Sequence, residues 1–165
     1  GDAVVKLFAG IDPGVHGAVA AIVETDNGPV YIMSIVDRDQ HPLTHIANWL
    51  RALANSYDVT AVLERVHSMP GQGVASTFKF GQSYGEWLGI VAAAGLEPIL
   101  VRPQDWRAGV GLVRGGDKRS RKKASRDLAQ ELFPGDSRFD RVKDSDRAEA
   151  VLIAEYQRRR IAPGT

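Results

Sequence analysis

Two acidic residues stand where apolar runs end. Phe8-Ala9-Gly10-Ile11 leads into Asp12, and Val59-Thr60-Ala61-Val62-Leu63 leads into Glu64. Two more, Asp146 and Glu149, lie three residues apart in Lys143-Asp144-Ser145-Asp146-Arg147-Ala148-Glu149-Ala150. That spacing puts both on one face of a helix, near its start. Asp144 lies about 200° of helical rotation from Asp146, so it points elsewhere or caps the helix. Read singly, each acid has a plain structural role: Asp-Pro-Gly is a common turn, and Asp-x-x-Glu is a capping pattern. Four carboxylates brought together without metal would repel and raise one another's pKa. Divalent cations remove that problem, and Mg²⁺ prefers carboxylate oxygens while retaining waters. Two such ions, roughly 3.5–4 Å apart, activate a water and stabilise the leaving oxygen of a phosphodiester.

The elements that must position these acids follow from pattern. An apolar strand runs from Val4 to Ile11. Pro13 then offers no N–H to a sheet, and Gly14 and Gly17 permit a tight turn with room for a phosphate. His16 in this turn can contact that phosphate. Ala18–Val23 and Val30–Val36 are rich in strand formers, and Asp26-Asn27-Gly28-Pro29 between them is a hairpin signal. Pro42 opens a helix whose Leu43, Ile46, Ala47, Leu50, Leu53 and Ala54 form one apolar face. After the strand ending at Glu64 comes a loop from Arg65 to Gly73, and then a helix from about Val74 to Ala94 that stops at Gly95. Phe78, Phe80, Tyr84 and Trp87 read as its packing residues. Gly81, Gly85 and Gly89 recur on one face, each costing about 1 kcal/mol against alanine. Such a face suits close approach of a backbone, either the sheet beneath or a partner helix. A short strand, Pro98–Val101, is followed by Arg102-Pro103-Gln104-Asp105-Trp106-Arg107 and then by a Gly-rich basic stretch, Gly109–Lys118. Ser120 can cap a helix running to Leu132, and the final helix spans about Ser145 to Arg160. The order β-β-β-α-β-α-β-α-α predicts an α/β fold: a mixed five-stranded sheet with helices on both faces, one domain over residues 1–165.

Net charge is only +1, but it is unevenly spread. Arg102 to Arg126 holds nine basic residues against two acids, which suggests a polyanion partner. There are no cysteines, which excludes disulfides and thiolate metal sites. No apolar run approaches the ~18–20 residues of a membrane span. Gly1-Asp2-Ala3 lacks the features of a signal peptide, so the expected location is the cytoplasm.

Four motifs now stand in order: Ile11-Asp12-Pro13-Gly14, Leu63-Glu64-Arg65-Val66, Phe80-Gly81-Gln82-Ser83-Tyr84-Gly85 and Asp146-Arg147-Ala148-Glu149-Ala150. This set resembles the RuvC-type Holliday junction resolvases of the ribonuclease H-like superfamily, most closely their phage-type branch, from Phe8 to about Arg158. The resemblance implies a homodimeric endonuclease that takes branched DNA as its partner and cuts four-way junctions with two Mg²⁺ ions per site, Mn²⁺ being able to substitute. It implies Asp12, Glu64, Asp146 and Glu149 as metal-binding acids. Bacterial members usually carry Asp where this chain has Glu149. Lys123 matches a family lysine beside the scissile phosphate, and Lys122 is one step away. His67 stands where bacterial members carry an aromatic that contacts junction bases. Arg114, Lys118, Arg119, Lys122 and Lys123 are the expected phosphate contacts. Actin-like ATPases and sugar kinases share the Asp-x-Gly hairpin, but they need two such domains around a nucleotide. No nucleotide cofactor and no membrane are therefore expected. A less selective flap nuclease and a non-catalytic DNA-binding module are the alternatives.

Overall fold

The computed structural model describes residues 5–26, 28–67 and 70–161. Its sheet is built from β1 (Lys6–Asp12), β2 (Ala18–Glu24), β3 (Tyr31–Asp37), β4 (Asp58–Glu64) and β5 (Ile99–Val101), in the order β3-β2-β1-β4-β5. β1 pairs antiparallel with β2, and β2 with β3, while β4 runs parallel to both β1 and β5. The sheet is thus mixed and five-stranded, as expected. The helices are α1 (Leu43–Ser56), α2 (Val74–Ala93), α3 (Pro103–Gly109), α4 (Lys118–Leu132) and α5 (Ser145–Arg160). Among the described residues, no helix is long and apolar enough to cross a membrane. Asn27 of the predicted hairpin turn, Val4 at the predicted start of the first strand, and part of the 65–73 loop lie outside the described residues.

Alternation along β1 sends successive side chains to opposite layers. Leu7, Ala9 and Ile11 pack with Ile46 and Leu50 of α1 and with Trp87, Ile90 and Val91 of α2. Phe8 on the other face meets Ala154 of α5, and Val62 of β4 meets Leu152 and Ile153. Between Phe8 and the strand end, Gly10 lets α5 lie directly on β1. A side chain there would strike the Ala150 carbonyl oxygen and the Ala154 backbone. α3 and α4 pack outside α5, so Ala148 and Ala150 to Ala154 are fully buried. A helix enclosed on several sides shows no single apolar stripe.

Three expectations are corrected. The pattern predicts no helix between Val101 and Ser120, yet α3 forms there. It is short, with Pro103 in its first turn and Trp106 in the core, and proline suits that turn because it has no N–H to leave unpaired. The cap of α4 is not Ser120 but Asp117, which accepts from the Ser120 backbone N–H at 2.8 Å. A carboxylate is favoured there because it meets both the free amides and the positive end of the helix dipole. In α2, Trp87 is buried and Tyr84 packs on the core, but Phe78 is 74% exposed. The glycine face of α2 does not seat the helix on its own sheet. Side chains built at Gly81, Gly85 or Gly89 would meet nothing within 4 Å among the described residues.

Candidate active site

Asp12 and Glu64 are brought together by strand register. Ile11 pairs with Leu63 across the parallel β1–β4 ladder, so the next residue on each strand is an acid. Both follow the alternation of Gly10 and Val62 and face the α5 layer. α5 crosses β1 at Gly10, where Ala150 and Ala154 rest. Two residues further along β1 is Asp12, and just before Ala150 on α5 are Asp146 and Glu149. The small residue that admits the helix therefore also aligns its acidic first turns with the strand end.

The turn after Asp12 is tightly fixed. The Gly14 N–H donates to Asp12 Oδ1 at 3.1 Å, and the Gly17 N–H donates to the Gly14 carbonyl at 2.9 Å. From α2, the Ser83 hydroxyl lies 3.1 and 2.9 Å from the carbonyls of Pro13 and Gly14, to which it donates. Ser83 sits inside the Phe80–Gly85 motif, but a partner 70 residues away is invisible in local pattern.

Carboxylate oxygens of Asp12, Asp146 and Glu149 all lie within 4.8 Å of one another. Asp12 is only 7% exposed. Burial first, and then the charges of Glu149, Asp146 and Glu64, push its carboxyl well above the ordinary range. Burial also raises Asp146, against the opposing charge of Lys122. Glu64 is raised to about 7 by burial, although the indole of Trp106 favours its ionised form. Such a set of hard oxygen donors, too close for all to ionise alone, fits one or more divalent cations of the Mg²⁺ type.

Glu64 stands beside this group rather than in it. Trp106 Nε1 donates to Glu64 Oε2 at 2.7 Å. The neighbouring Arg107 reaches Glu149 Oε1 at 3.4 Å, Ser125 Oγ at 3.3 Å and the Arg121 carbonyl at 3.1 Å. α3 thus touches two of the four acids. Neither Trp106 nor Arg107 is marked out by the sequence. The available sign of a helix start was Pro103, just past the strand end at Val101. Asp144 turns away, as its position predicts. It is buried, accepts from the Arg141 backbone N–H at 2.8 Å, and closes a short 3₁₀ turn before α5.

The basic candidates divide. A cavity of about 480 Å³ holds His16, Lys122 and Lys143 together with Asp146. Lys123 instead pairs with Asp127 at 2.7 Å on the exposed side of α4. Lys118, Arg119 and Arg126 share a second groove with Lys122 and Lys123. Arg114 lines a separate pocket with Arg107 and Arg121. His67 is exposed and lies with Phe80 and Tyr84 on the α2 side. His16 bonds Asp39 at 2.8 Å.

No protein-family model matches the chain, and no curated protein sequence matches it. Solved structures do. A structure described as T. thermophilus RuvC in complex with Holliday junction substrate matches at 16% identity and TM-score 0.57, covering 94% of this chain and 96% of that one. A second Thermus thermophilus RuvC structure matches at 17% identity and TM-score 0.59, covering 93% and 96%. The sheet order, the helical layers and these likenesses together give the chain the RuvC-like, ribonuclease H-like α/β fold.

Proposed function

We propose that the chain is a divalent-metal-dependent endonuclease of the phage-type RuvC branch that hydrolyses phosphodiesters in four-way DNA junctions, acting in the cytoplasm as a homodimer. The observation that carries this is the meeting of Asp12, Asp146 and Glu149 within 4.8 Å, with Glu64 adjacent and Lys122 lining a cavity with Asp146. In this reading Asp12, Glu64, Asp146 and Glu149 hold two Mg²⁺ ions, or Mn²⁺ in their place. Bound there, the ions supply a nucleophilic water and stabilisation of the leaving oxygen. Lys122, on the cavity shared with Asp146, faces the reacting phosphate. Lys123, Lys118, Arg119 and Arg114 grip the flanking backbone, and His67 lies against bases near the branch point. Cleavage of four-way, three-way, flap and linear DNA side by side in Mg²⁺ tests the reading. Preference for four-way junctions supports it. Equal cutting of flaps points to a general branched-DNA nuclease, and absence of cutting leaves only a binding module.

Reversing Lys118, Arg119, Lys122 and Lys123 to Glu is expected to weaken DNA binding. It should also flatten the salt dependence, by about 0.9 in log–log slope for each phosphate that is no longer neutralised. An unchanged slope in a salt titration would reduce the block to a solvated surface.

Two symmetric cuts by one site per chain ask for a two-fold dimer. The open glycine face of α2, with Val74 89% and Phe78 74% exposed at its start, is the surface assigned to the second copy. A Cβ at Gly85 meets nothing within 4 Å among the described residues, so Gly85→Leu is expected to fold, with an unchanged circular dichroism spectrum. Sedimentation is expected to show a monomer, and junction assays single rather than paired nicks. A dimeric Gly85→Leu protein making paired cuts removes α2 as the interface.

A further inference from the structure

We infer that Trp106 is a positioning residue for Glu64: its indole N–H sets where that carboxylate stands beside the Asp12–Asp146–Glu149 group, and so sets divalent-ion affinity. The inference rests on the nuclease reading above. Trp106 is fully buried, and its ring packs with Val62, Val101, Leu152 and Ile153 beneath the end of the sheet. The indole is therefore held by the core, not by a mobile loop. Its Nε1–H meets Glu64 Oε2 at 2.7 Å, the short length of a bond to a carboxylate.

A comparison within the chain shows that this bond is more than a polar atom finding a partner. Trp87 is also almost fully buried, and its Nε1 has no hydrogen-bond partner among the described residues. Burial of an indole in this core thus does not by itself bring it a partner among the described residues, so burial alone does not account for the Trp106 bond. Glu64, for its part, sits at a strand end on a side chain with several torsions, next to other acids. Without a donor it has rotamers to explore and repulsion to escape. An indole is a donor only and carries no charge. It fixes the carboxylate while leaving the negative charge for a cation. Arg107 bonds Glu149 at 3.4 Å and its charge also reaches Glu64; the indole adds a bond to Glu64 without adding more positive charge.

The test compares Trp106→Phe with Trp87→Phe, which make the same change in ring size. Mn²⁺ is titrated calorimetrically into the free proteins. Loss of a hydrogen-bond partner to a metal ligand typically costs roughly 10–100-fold in affinity, so Trp106→Phe is expected to weaken Mn²⁺ by about tenfold or more while Trp87→Phe stays within about twofold. Junction affinity in Ca²⁺ stays unchanged, and raising Mn²⁺ restores cleavage by Trp106→Phe. Indole N–H resonances of the wild type give a second readout should Trp106→Phe fail to fold. Mg²⁺ and, separately, Glu64→Ala are expected to shift the Trp106 signal and leave the Trp87 signal in place. Wild-type Mn²⁺ affinity in Trp106→Phe, equal losses in both variants, or a Trp106 resonance blind to Glu64→Ala overturns the inference. Wild-type protein that binds no Mn²⁺ overturns the nuclease reading itself, a different result from wild type and Trp106→Phe binding alike.

Discussion

Asp12→Asn is expected to bind branched DNA and fail to cut it, while melting at a higher temperature than the wild type in the absence of metal. The two effects share one cause. Asp12 is buried among three other acids, and ionising it there is opposed first by lost hydration and then by its neighbours' charges. Asparagine keeps the shape and the oxygen that accepts from the Gly14 N–H, but carries no charge. Near neutral pH the metal-free variant thus escapes a repulsion that the wild type bears. On the nuclease reading it also loses an anionic donor to the cations, and loss of a residue from such a unit is expected to cost roughly 10³-fold or more in cleavage rate. The basic groove lies elsewhere, on α4, so junction affinity in Ca²⁺ holds. Wild-type cleavage by Asp12→Asn would refute the site. An inactive variant with a lowered melting temperature would show Asp12 to be structural instead.

Stability of the metal-free protein should fall as pH rises from about 5 to about 7.5. Glu64 titrates near 4.5 when unfolded and about 7 when folded. Across that window the folded state retains a proton that the unfolded state has released. Proton release therefore favours unfolding, and the penalty is complete once pH passes the folded value. For Glu64 alone the shift corresponds to on the order of 3 kcal/mol. Asp12 and Asp146 are raised as well and act in the same direction. Acids with lowered values, such as Asp117 and Asp136, make their stabilising contribution before this window begins. Divalent ions bound at the ionised folded site are expected to reverse the trend: Mg²⁺ at 100 times its Kd would add about 2.7 kcal/mol. Melting curves at several pH values, with chelator and with Mg²⁺, test this. A chelated protein whose melting temperature is flat or rises toward pH 7.5, or that ignores Mg²⁺, would contradict the electrostatics of the cluster.

How much of this is legible in the sequence depends on the range of each interaction. Asp12 and Glu64 are visible because an apolar run ending in an acid is a local pattern, and parallel register then places them side by side. α5 is visible over Ser145–Arg160 from its acidic start and basic end, although its burial on several sides is not. α3 escapes because seven residues are too few to show a helical period. Trp106 and Arg107 escape with it, since their roles depend on acids 42 residues away in either direction. The orientation of the α2 glycines is undecidable from spacing, which is identical whether that face meets a sheet or open space. Lys122 and Lys123 differ by one step of about 100° around α4, enough to send one toward Asp146 and the other toward Asp127.

Gly10 has a consequence beyond packing. Asp12 belongs to the strand and Asp146 and Glu149 to the helix, and the gap between these two parts is set where Gly10 lies under Ala150 and Ala154. Position 10 thus works as a shim of zero thickness between two halves of a tool. An added methyl meets main-chain atoms, which cannot swing aside as a side chain can, so the whole helix must lift or tilt. The damage would appear as a change in bite rather than in chemistry: every carboxylate still present, none altered, and the jaws set too wide. Displacements of about 1 Å can cost roughly 10²-fold in rate, so on the nuclease reading a residue outside the acidic cluster calibrates the spacing within it.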